Sequence, residues 1–203
     1  MPRKRRKRPP GQGAGSVRII GGRWRGRRLP VVDVPGLRPS GDRCRETLFN
    51  WLQPHIAGSR CADLFAGTGV LGFEAVSRGA AEVTLVEYTP LAAQALRSTL
   101  VYLGSDQVRA DIRLVEADAL KWLLTCEPDS LDIVFIDPPF GSRMESRVLD
   151  LLASRNVLRK DGLVYLETST KGPFQHPGPA WMVLKDRTMG EVHMFLLKKS
   201  GSL

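Results

Sequence analysis

Cysteine and histidine are scarce in this 203-residue chain, with three of each. Cys44, Cys61 and Cys126 lie far apart and form no C-x-x-C, and His55, His176 and His193 are as scattered. That spacing excludes a disulfide framework and the usual zinc sites, so we expect a reducing cytoplasm and no metal. No apolar run approaches the roughly 20 residues that a bilayer span requires, so no membrane partner is expected. The first residues are basic but lead into no apolar core, which excludes a secretory signal. Internal repeats are also lacking.

Acid is missing from one place in particular. Residues 1–30 hold eleven Lys or Arg and no Asp or Glu. The remaining residues carry the other 19 basic groups and all 21 acids, a net −2 inside an overall +9. A nearly neutral globule with a basic N-terminal arm points to nucleic acid, less often to an anionic membrane surface. The plainer alternative is a solubilising tail or a processing signal. Length and the 42% apolar content suit one domain with a real core.

In chain order, residues 1–16 are Lys/Arg-rich and then Pro/Gly-rich, a tail expected to be disordered when free. Val17–Ile20, Gly21-Gly22 and a basic second strand predict a β-hairpin within an arm over 17–40. Its Arg18, Arg23, Arg25, Arg27 and Arg28 suit phosphates, and Trp24 either stacks on a base or packs against the main domain. Residues 30–41 are a loop with three prolines. A helix follows from Asp42, its expected cap, with Leu48, Trp51 and Leu52 on one face. Arg38, Arg43 and Arg45 are a solvated face or line a route from the arm to the site.

From Cys61 the chain alternates. Strands at 61–65, 82–87, 112–115, 131–136 and 163–167 are separated by helices at 70–78, 91–103, 119–125 and 146–158, the last stopped by Asp161-Gly162. Two strands, 181–187 and 191–198, then follow with only a Met189-Gly190 turn between them. This predicts an α/β fold over 41–203: a doubly wound, mostly parallel seven-stranded sheet ending in an antiparallel hairpin.

Two stretches carry chemistry. Leu131–Ile136 reads as a strand covered on both faces, stopped by Asp137-Pro138-Pro139-Phe140. Ligands of open α/β sheets bind at such carboxyl ends. Asp137 and the Pro138 carbonyl can accept from the amino group of a flat base, and Phe140 can stack on the ring. The bland alternative is a stiff turn with Asp137 as a cap. The second stretch is Asp63-Leu64-Phe65-Ala66-Gly67-Thr68-Gly69, a strand entering a glycine turn before a helix. Gly67-x-Gly69-x-x-Gly72 with Glu87 also fits the dinucleotide fingerprint. Asp63 disfavours that reading, since it would repel a pyrophosphate and suits a cation such as a methionine amino group. Glu87 can accept from both ribose hydroxyls. Asp118 can accept from an adenine amino group or simply cap a helix.

In order, Asp63–Gly69, Glu87, Asp118 and Asp137–Phe140 resemble the S-adenosylmethionine sites of Rossmann-like class I methyltransferases with amino-group targets. Val17–Ile20-Gly21-Gly22-x-Trp24-Arg25-Gly26-Arg27, with Leu37-Arg38-Pro39 and Asp42-Arg43-x-Arg45-Glu46-Thr47-Leu48-Phe49-Asn50-Trp51-Leu52, resembles more narrowly the bacterial RsmD family of 16S rRNA guanine-N2 methyltransferases. The likeness runs from about residue 17 to the end. It implies S-adenosylmethionine as cofactor and one guanine of 16S rRNA, within a small-subunit assembly, as substrate. We expect the chain to act as a monomer. The implied cofactor residues are Asp63, Phe65, Ala66, Gly67, Thr68, Gly69, Glu87, Tyr88, Asp118, Ala119 and Asp137. Asp137, Pro138 and Phe140 would be catalytic. Pro139, Phe140, Trp24 and the arginines at 18, 23, 25, 27, 28, 38, 43 and 45 would meet the RNA. Competing readings are an amino-methyltransferase acting on another base in DNA or RNA, a nicotinamide enzyme, and a non-enzymatic rRNA-binding assembly factor.

Overall fold

The computed structural model describes residues 15–31, 41–104, 108–139, 141–174 and 176–201. Five of the six residues of β6 (Leu131–Ile136) are buried, as its apolar, β-branched composition requires of a strand covered on both faces. It lies between β3 (Arg60–Asp63) and β7 (Leu158–Ser169), parallel to both. Beyond β3, the strands β4 (Glu82–Glu87) and β5 (Asp111–Glu116) continue in parallel. Beyond β7 the chain returns antiparallel as β9 (Val192–Lys199), and β8 (Trp181–Met189) forms the edge. The sheet order is β5-β4-β3-β6-β7-β9-β8, so the winding reverses between β3 and β6. That reversal opens a crevice above their carboxyl ends.

Three helices cover one face: α1 (Asp42–Ile56), α2 (Val70–Ser77) and α3 (Pro90–Leu103). The short α4 (Ala119–Leu123) and α5 (Met144–Arg155) cover the other. All eight residues of α2 are buried, because a second small sheet lies outside it. That sheet is β1 (Gly15–Arg18) paired antiparallel with β2 (Arg28–Val31).

The N-terminal hairpin is therefore part of the globule. Val17, Ile19, Trp24 and Leu29 join the same core as α1 and α2. Glu74 of α2 is fully buried and accepts hydrogen bonds from Ile20 N (2.8 Å), Gly21 N (2.7 Å) and Arg78 Nε (2.8 Å). Arg45, also fully buried, lies 3.8 Å from Glu74 and donates to the Arg18 carbonyl at 2.8 Å. Ser77 donates to the Gly21 carbonyl and accepts from Trp24 N. Gly22 runs so close to α2, at φ +71°, that a Cβ there would meet the Ser77 carbonyl oxygen at 1.8 Å.

Several local expectations change. Gly15 and Ser16, assigned to the tail, pair with Val31 and Pro30. Gly21-Gly22 is no two-residue turn; residues 19–27 form a wide loop moulded on α2. Asp42 makes no cap hydrogen bond and instead pairs with Arg45 at 2.5 Å and Arg18 at 3.3 Å. The helix expected to run to Leu158 ends at Arg155, where Asn156 turns left-handed. Asp161-Gly162 sits inside β7 beside a register shift, so a bulge had been read as a helix stop. Residues 1–14 of the tail expected over 1–16 lie outside the described residues.

Glu74→Ala should cost about 3–5 kcal/mol, because it removes one partner of a buried ion pair and strips two backbone donors of their acceptor. Urea unfolding checks this; a loss under about 1 kcal/mol would show that the apolar contacts alone seat the hairpin.

Candidate active site

Four strand ends build the crevice. β3 ends in Asp63, and the chain passes Leu64, Phe65 and Ala66 to the glycine turn. Leu64 N donates to the Phe135 carbonyl of β6 (3.1 Å) and Ala66 N to the Val86 carbonyl of β4 (2.9 Å), so the turn is fixed between its neighbours. Gly67 (φ +53°) and Gly69 (φ +74°) take left-handed conformations that residues with a Cβ adopt rarely. A Cβ on Gly69 would also meet Phe73 at 2.4 Å. Gly69 caps α2, whose first N–H groups face the crevice.

Asp63 is 1% exposed. Its Oδ2 accepts from Gly72 N at 3.1 Å, while Oδ1 is buried with no hydrogen-bond partner among the described residues. Burial pushes this carboxyl up to about 7, with the Gly72 N–H opposing, Glu87 adding to the rise and the Phe65 N–H, too poorly placed to count as a hydrogen bond, opposing least. A buried carboxylate oxygen without a donor is costly unless a ligand supplies one. The residue thus fits a cationic amino group.

Glu87, at the end of β4, uses both oxygens on backbone: Oε2 accepts from Gly67 N (2.8 Å) and Oε1 from Thr89 N (2.7 Å). It locks the glycine turn to the start of α3. Ribose hydroxyls would have to use the remaining lone pairs. Asp118 caps α4 by accepting from Lys121 N at 3.0 Å, the plainer of its two sequence readings. Ala119 behind it is buried, and Thr68 is 7% exposed. Tyr88 is 75% exposed on the rim.

Asp137 follows β6 directly and is half-buried; Pro138 is buried and Pro139 exposed. Phe140 and Arg38 lie outside the described residues. The strand ends thus bring Asp63, the glycine turn, Glu87 and Asp137 to one edge of the sheet.

Two residues expected at the RNA face another way. Trp24 is 3% exposed and meets Phe73 edge-on at 6.3 Å, so it packs on the domain. Arg45 has no exposed surface and serves the buried Glu74 network. Arg45 is a correction, since it lies on the buried stripe of α1 with Leu48 and Phe49; for Trp24 the structure takes the packing alternative over the stacking one. Arg27 is exposed but donates to the carbonyls of Leu103 (2.9 Å) and Tyr102 (3.5 Å), satisfying the end of α3. Arg18, Arg23, Arg25, Arg28 and Arg43 are exposed. Arg23 and Arg25 sit at the Ser77 end of α2, while the glycine turn is at its other end. An eight-residue helix spans about 12 Å, so the arginines trail away from the crevice.

Sequence reasoning missed Tyr165 and Glu167 of β7 and Cys44 of α1. Tyr165 Oη donates to Glu167 Oε2 at 2.7 Å, both deeply buried. The Tyr165 hydroxyl is pushed well above its ordinary range by burial, with Glu167 and then Asp137 adding to it. The alternation of Leu163–Ser169, which sets Tyr165 and Glu167 on one face of β7, was the available signal.

A doubly wound sheet with a glycine turn between β3 and α2, an acid closing β4 and an acid-proline corner after β6 defines the class I methyltransferase architecture. The family model described as "Conserved hypothetical protein 95" matches residues 17–198. "Ribosomal RNA small subunit methyltransferase D" of Haemophilus influenzae is 43% identical over 179 residues, covering 88% of this chain and 91% of that one. Its namesake from Escherichia coli K12 is 40% identical over 195 residues, 96% of each chain. The solved "Putative methyltransferase yhhF from Escherichia coli" superposes with a TM-score of 0.79 at 37% identity, over 91% of this chain and 98% of that one. The chain belongs to the RsmD family of methyltransferases.

The raised Asp63 carboxyl has a stability consequence. Its folded value lies above the unfolded 3.8, so between about pH 4 and 7 the folded chain holds more protons than the unfolded one. Stability from this group therefore falls as pH rises through that window. Denaturant midpoints of the ligand-free protein at pH 5 and 7.5 should drop more for wild type than for Asp63→Asn; parallel drops would remove Asp63 as the cause.

Proposed function

We propose that this chain uses S-adenosylmethionine to methylate the exocyclic N2 of a guanine in 16S rRNA, acting as a cytoplasmic monomer on a small-subunit assembly. The single observation that carries the reading is the pairing of two acids on neighbouring strand ends. Asp63 keeps a buried oxygen without a donor, and Asp137 stands on the adjacent strand beside a rigid diproline corner. The printed names of the relatives, methyltransferases of small-subunit ribosomal RNA, support the substrate class.

S-adenosylmethionine supplies an electrophilic methyl group. Asp63 would hold its methionine ammonium, and the Gly67–Gly69 turn would leave room for it against the start of α2. Glu87 fixes that turn and has lone pairs left for ribose; Ala119 and Tyr88 flank the position expected for adenine. Asp137 and the Pro138 carbonyl accept from the target amino group, drawing its N–H bonds toward themselves and aiming the nitrogen lone pair into the crevice. Pro139 and Phe140 are assigned to the base itself. Because the guanine amino group is a weak nucleophile, orientation and proton acceptance are what these residues contribute. A base in folded RNA must be splayed out to reach this crevice.

The exposed Arg18, Arg23, Arg25, Arg28 and Arg43 would hold phosphates, the first four from a hairpin rigidly fixed to α2. No helix among the described residues is long and apolar enough to cross a membrane. No group of His, Cys, Asp and Glu there is placed to hold a metal ion.

The experiment is incubation with labelled S-adenosylmethionine and undermethylated small subunits, followed by base-resolved mapping. Label on N2 of one guanine is expected; label on an adenine or cytosine amino group, or none, rejects the proposal. Asp137→Ala should keep the fold and much of the RNA affinity and lower the single-turnover rate about 10²- to 10⁴-fold. A second expectation concerns the arm. Its deletion would uncover Val17, Ile19, Trp24 and Leu29 of the core, so charge removal is the cleaner probe. Arg23→Gln with Arg25→Gln should flatten the slope of log affinity against log salt by about 1.4–1.8, at roughly 0.7–0.9 per phosphate contact. An unchanged slope would place the RNA elsewhere.

A further inference from the structure

At the far end of α3 an aromatic ring stands in solvent beside the basic loop of the hairpin. Tyr102 is 59% exposed and Val101 83% exposed, while Leu103 and Leu100 on either side turn toward the core. The Tyr102 side chain makes no hydrogen bond and no ring contact among the described residues. Arg27 ties this place to the hairpin. Its Nη1 donates to the carbonyls of Leu103 (2.9 Å) and Tyr102 (3.5 Å), and β2 packs against α3. Loop 19–27 and the end of α3 therefore form one continuous surface.

The cations of that surface are not matched by acids. Elsewhere exposed or half-exposed arginines are: Arg97 meets Glu116, Arg113 meets Asp111, and both Arg60 and Arg159 meet Asp132. Arg23 and Arg25 have no acidic partner among the described residues, and the loop itself contains no Asp or Glu. Arg27 uses one nitrogen, on carbonyls, and keeps its other N–H groups for a ligand. Uncommitted guanidinium groups beside a bare ring suit a polyanion that also carries flat apolar groups, which is what phosphates and bases together provide. Two exposed apolar side chains among arginines are a poor core for a protein contact, which buries roughly 800 Å² per partner and keeps charge to its rim.

We propose that Tyr102, beside Val101 and the loop of Arg23, Arg25 and Arg27, is a stacking site for an unpaired base of the RNA substrate, away from the nucleotide that is methylated. This rests on the RNA-methylation reading above and adds a second point of recognition to it. α3 leaves the crevice edge at Pro90, and a rise of ~1.5 Å per residue puts Tyr102 about 18 Å farther on. A base held there is therefore not the target. The arginines take the phosphates on either side of it, and the ring takes its face. Stacking of this kind tolerates any base but needs one that is free of its helix. The site thus selects an open stretch of RNA at a set distance from the target guanine, so the shape of the surrounding RNA contributes to the choice of that guanine.

The test uses the full chain and undermethylated small subunits. Tyr102→Ala should weaken binding about 5- to 150-fold, the range that loss of one base–aromatic stack covers. Tyr102→Phe keeps the ring and should stay within about threefold of wild type. Neither variant removes a charge, so the slope of log affinity against log salt should not change, whereas loss of a phosphate contact would flatten it. Affinity for S-adenosylmethionine and the melting temperature should also hold, since the ring is exposed and far from the crevice. Tyr102→p-benzoylphenylalanine, irradiated on the subunit, should crosslink to an rRNA nucleotide other than the methylated guanine. A crosslink to a ribosomal protein or to a second copy of this chain overturns the proposal, as does no crosslink at all. Wild-type binding by Tyr102→Ala overturns it too, and so do equal losses in the Ala and Phe variants. If the expected crosslink forms but wild type methylates no guanine, the activity reading fails and the stacking contact stands. If wild type binds no subunit, both fall.

Discussion

The pairing of β3 with β6 is the constraint on which the site depends. Cys61, Ala62 and Asp63 lie opposite Ile133, Val134 and Phe135, and Leu64 N closes the pair on the Phe135 carbonyl. Shifting this register by one residue would turn every side chain to the opposite face. Asp63 would then leave the crevice, and the glycine turn would lose its place against β4. The apolar character of β6 makes such a slip expensive, since Val134, Phe135 and Ile136 have no exposed surface. A chemically sparse element, six apolar-dominated residues, thus fixes the position of the charged groups around it.

Buried acids recur in this molecule with different tasks. Glu74 binds backbone and arginine and holds the N-terminal hairpin in place. Glu87 spans two backbone N–H groups and gives the glycine turn its shape. Both are satisfied inside the protein. Asp63 differs, because one oxygen lacks a donor and its carboxyl is pushed up to about 7. Under the proposed function, the cofactor's ammonium group would supply the donor that the fold does not. The distinction between satisfied and unsatisfied carboxylates separates the scaffold from the site more sharply than residue type does.

The hairpin changes how RNA recognition is pictured. A basic arm on a loose tether would search for phosphates and pay ordering entropy on binding. Here the loop 19–27 is seated on α2 by five hydrogen bonds with Glu74 and Ser77 and by the buried Trp24. The exposed Arg18, Arg23, Arg25 and Arg28 are thereby carried on a fixed element of the globule. Under the proposed function, a rigid ledge of this kind would position RNA phosphates without that ordering cost.

Much of this was legible beforehand. The alternation of apolar runs with glycine and proline stops located all seven strands of the sheet, and the local sequence Asp137-Pro138-Pro139 marked where the central one ends. Asp63, Gly67, Gly69 and Glu87 could be assigned to one pocket because each closes or follows a strand, and parallel strands end on a common edge. Helix termini were less legible: Asp161-Gly162 breaks either a helix or a strand, and only pairing with β6 shows that it is a bulge. The burial of Arg45 could have been suspected, since it lies three and four residues before Leu48 and Phe49 on the buried stripe of α1, but a lone arginine there reads equally as the edge of a solvated face; for Trp24, only the packing on α2 chose between the two readings its sequence left open. That β7 runs beside β6 with Ile136 opposite Leu166 needed the strand pairing, which joins residues thirty apart in sequence. Local sequence determines which elements form and where they stop, since those depend on neighbours along the chain. Which charges are buried, paired or left waiting for a ligand is decided by tertiary packing, because burial and electrostatic strength belong to the surroundings and not to the residue.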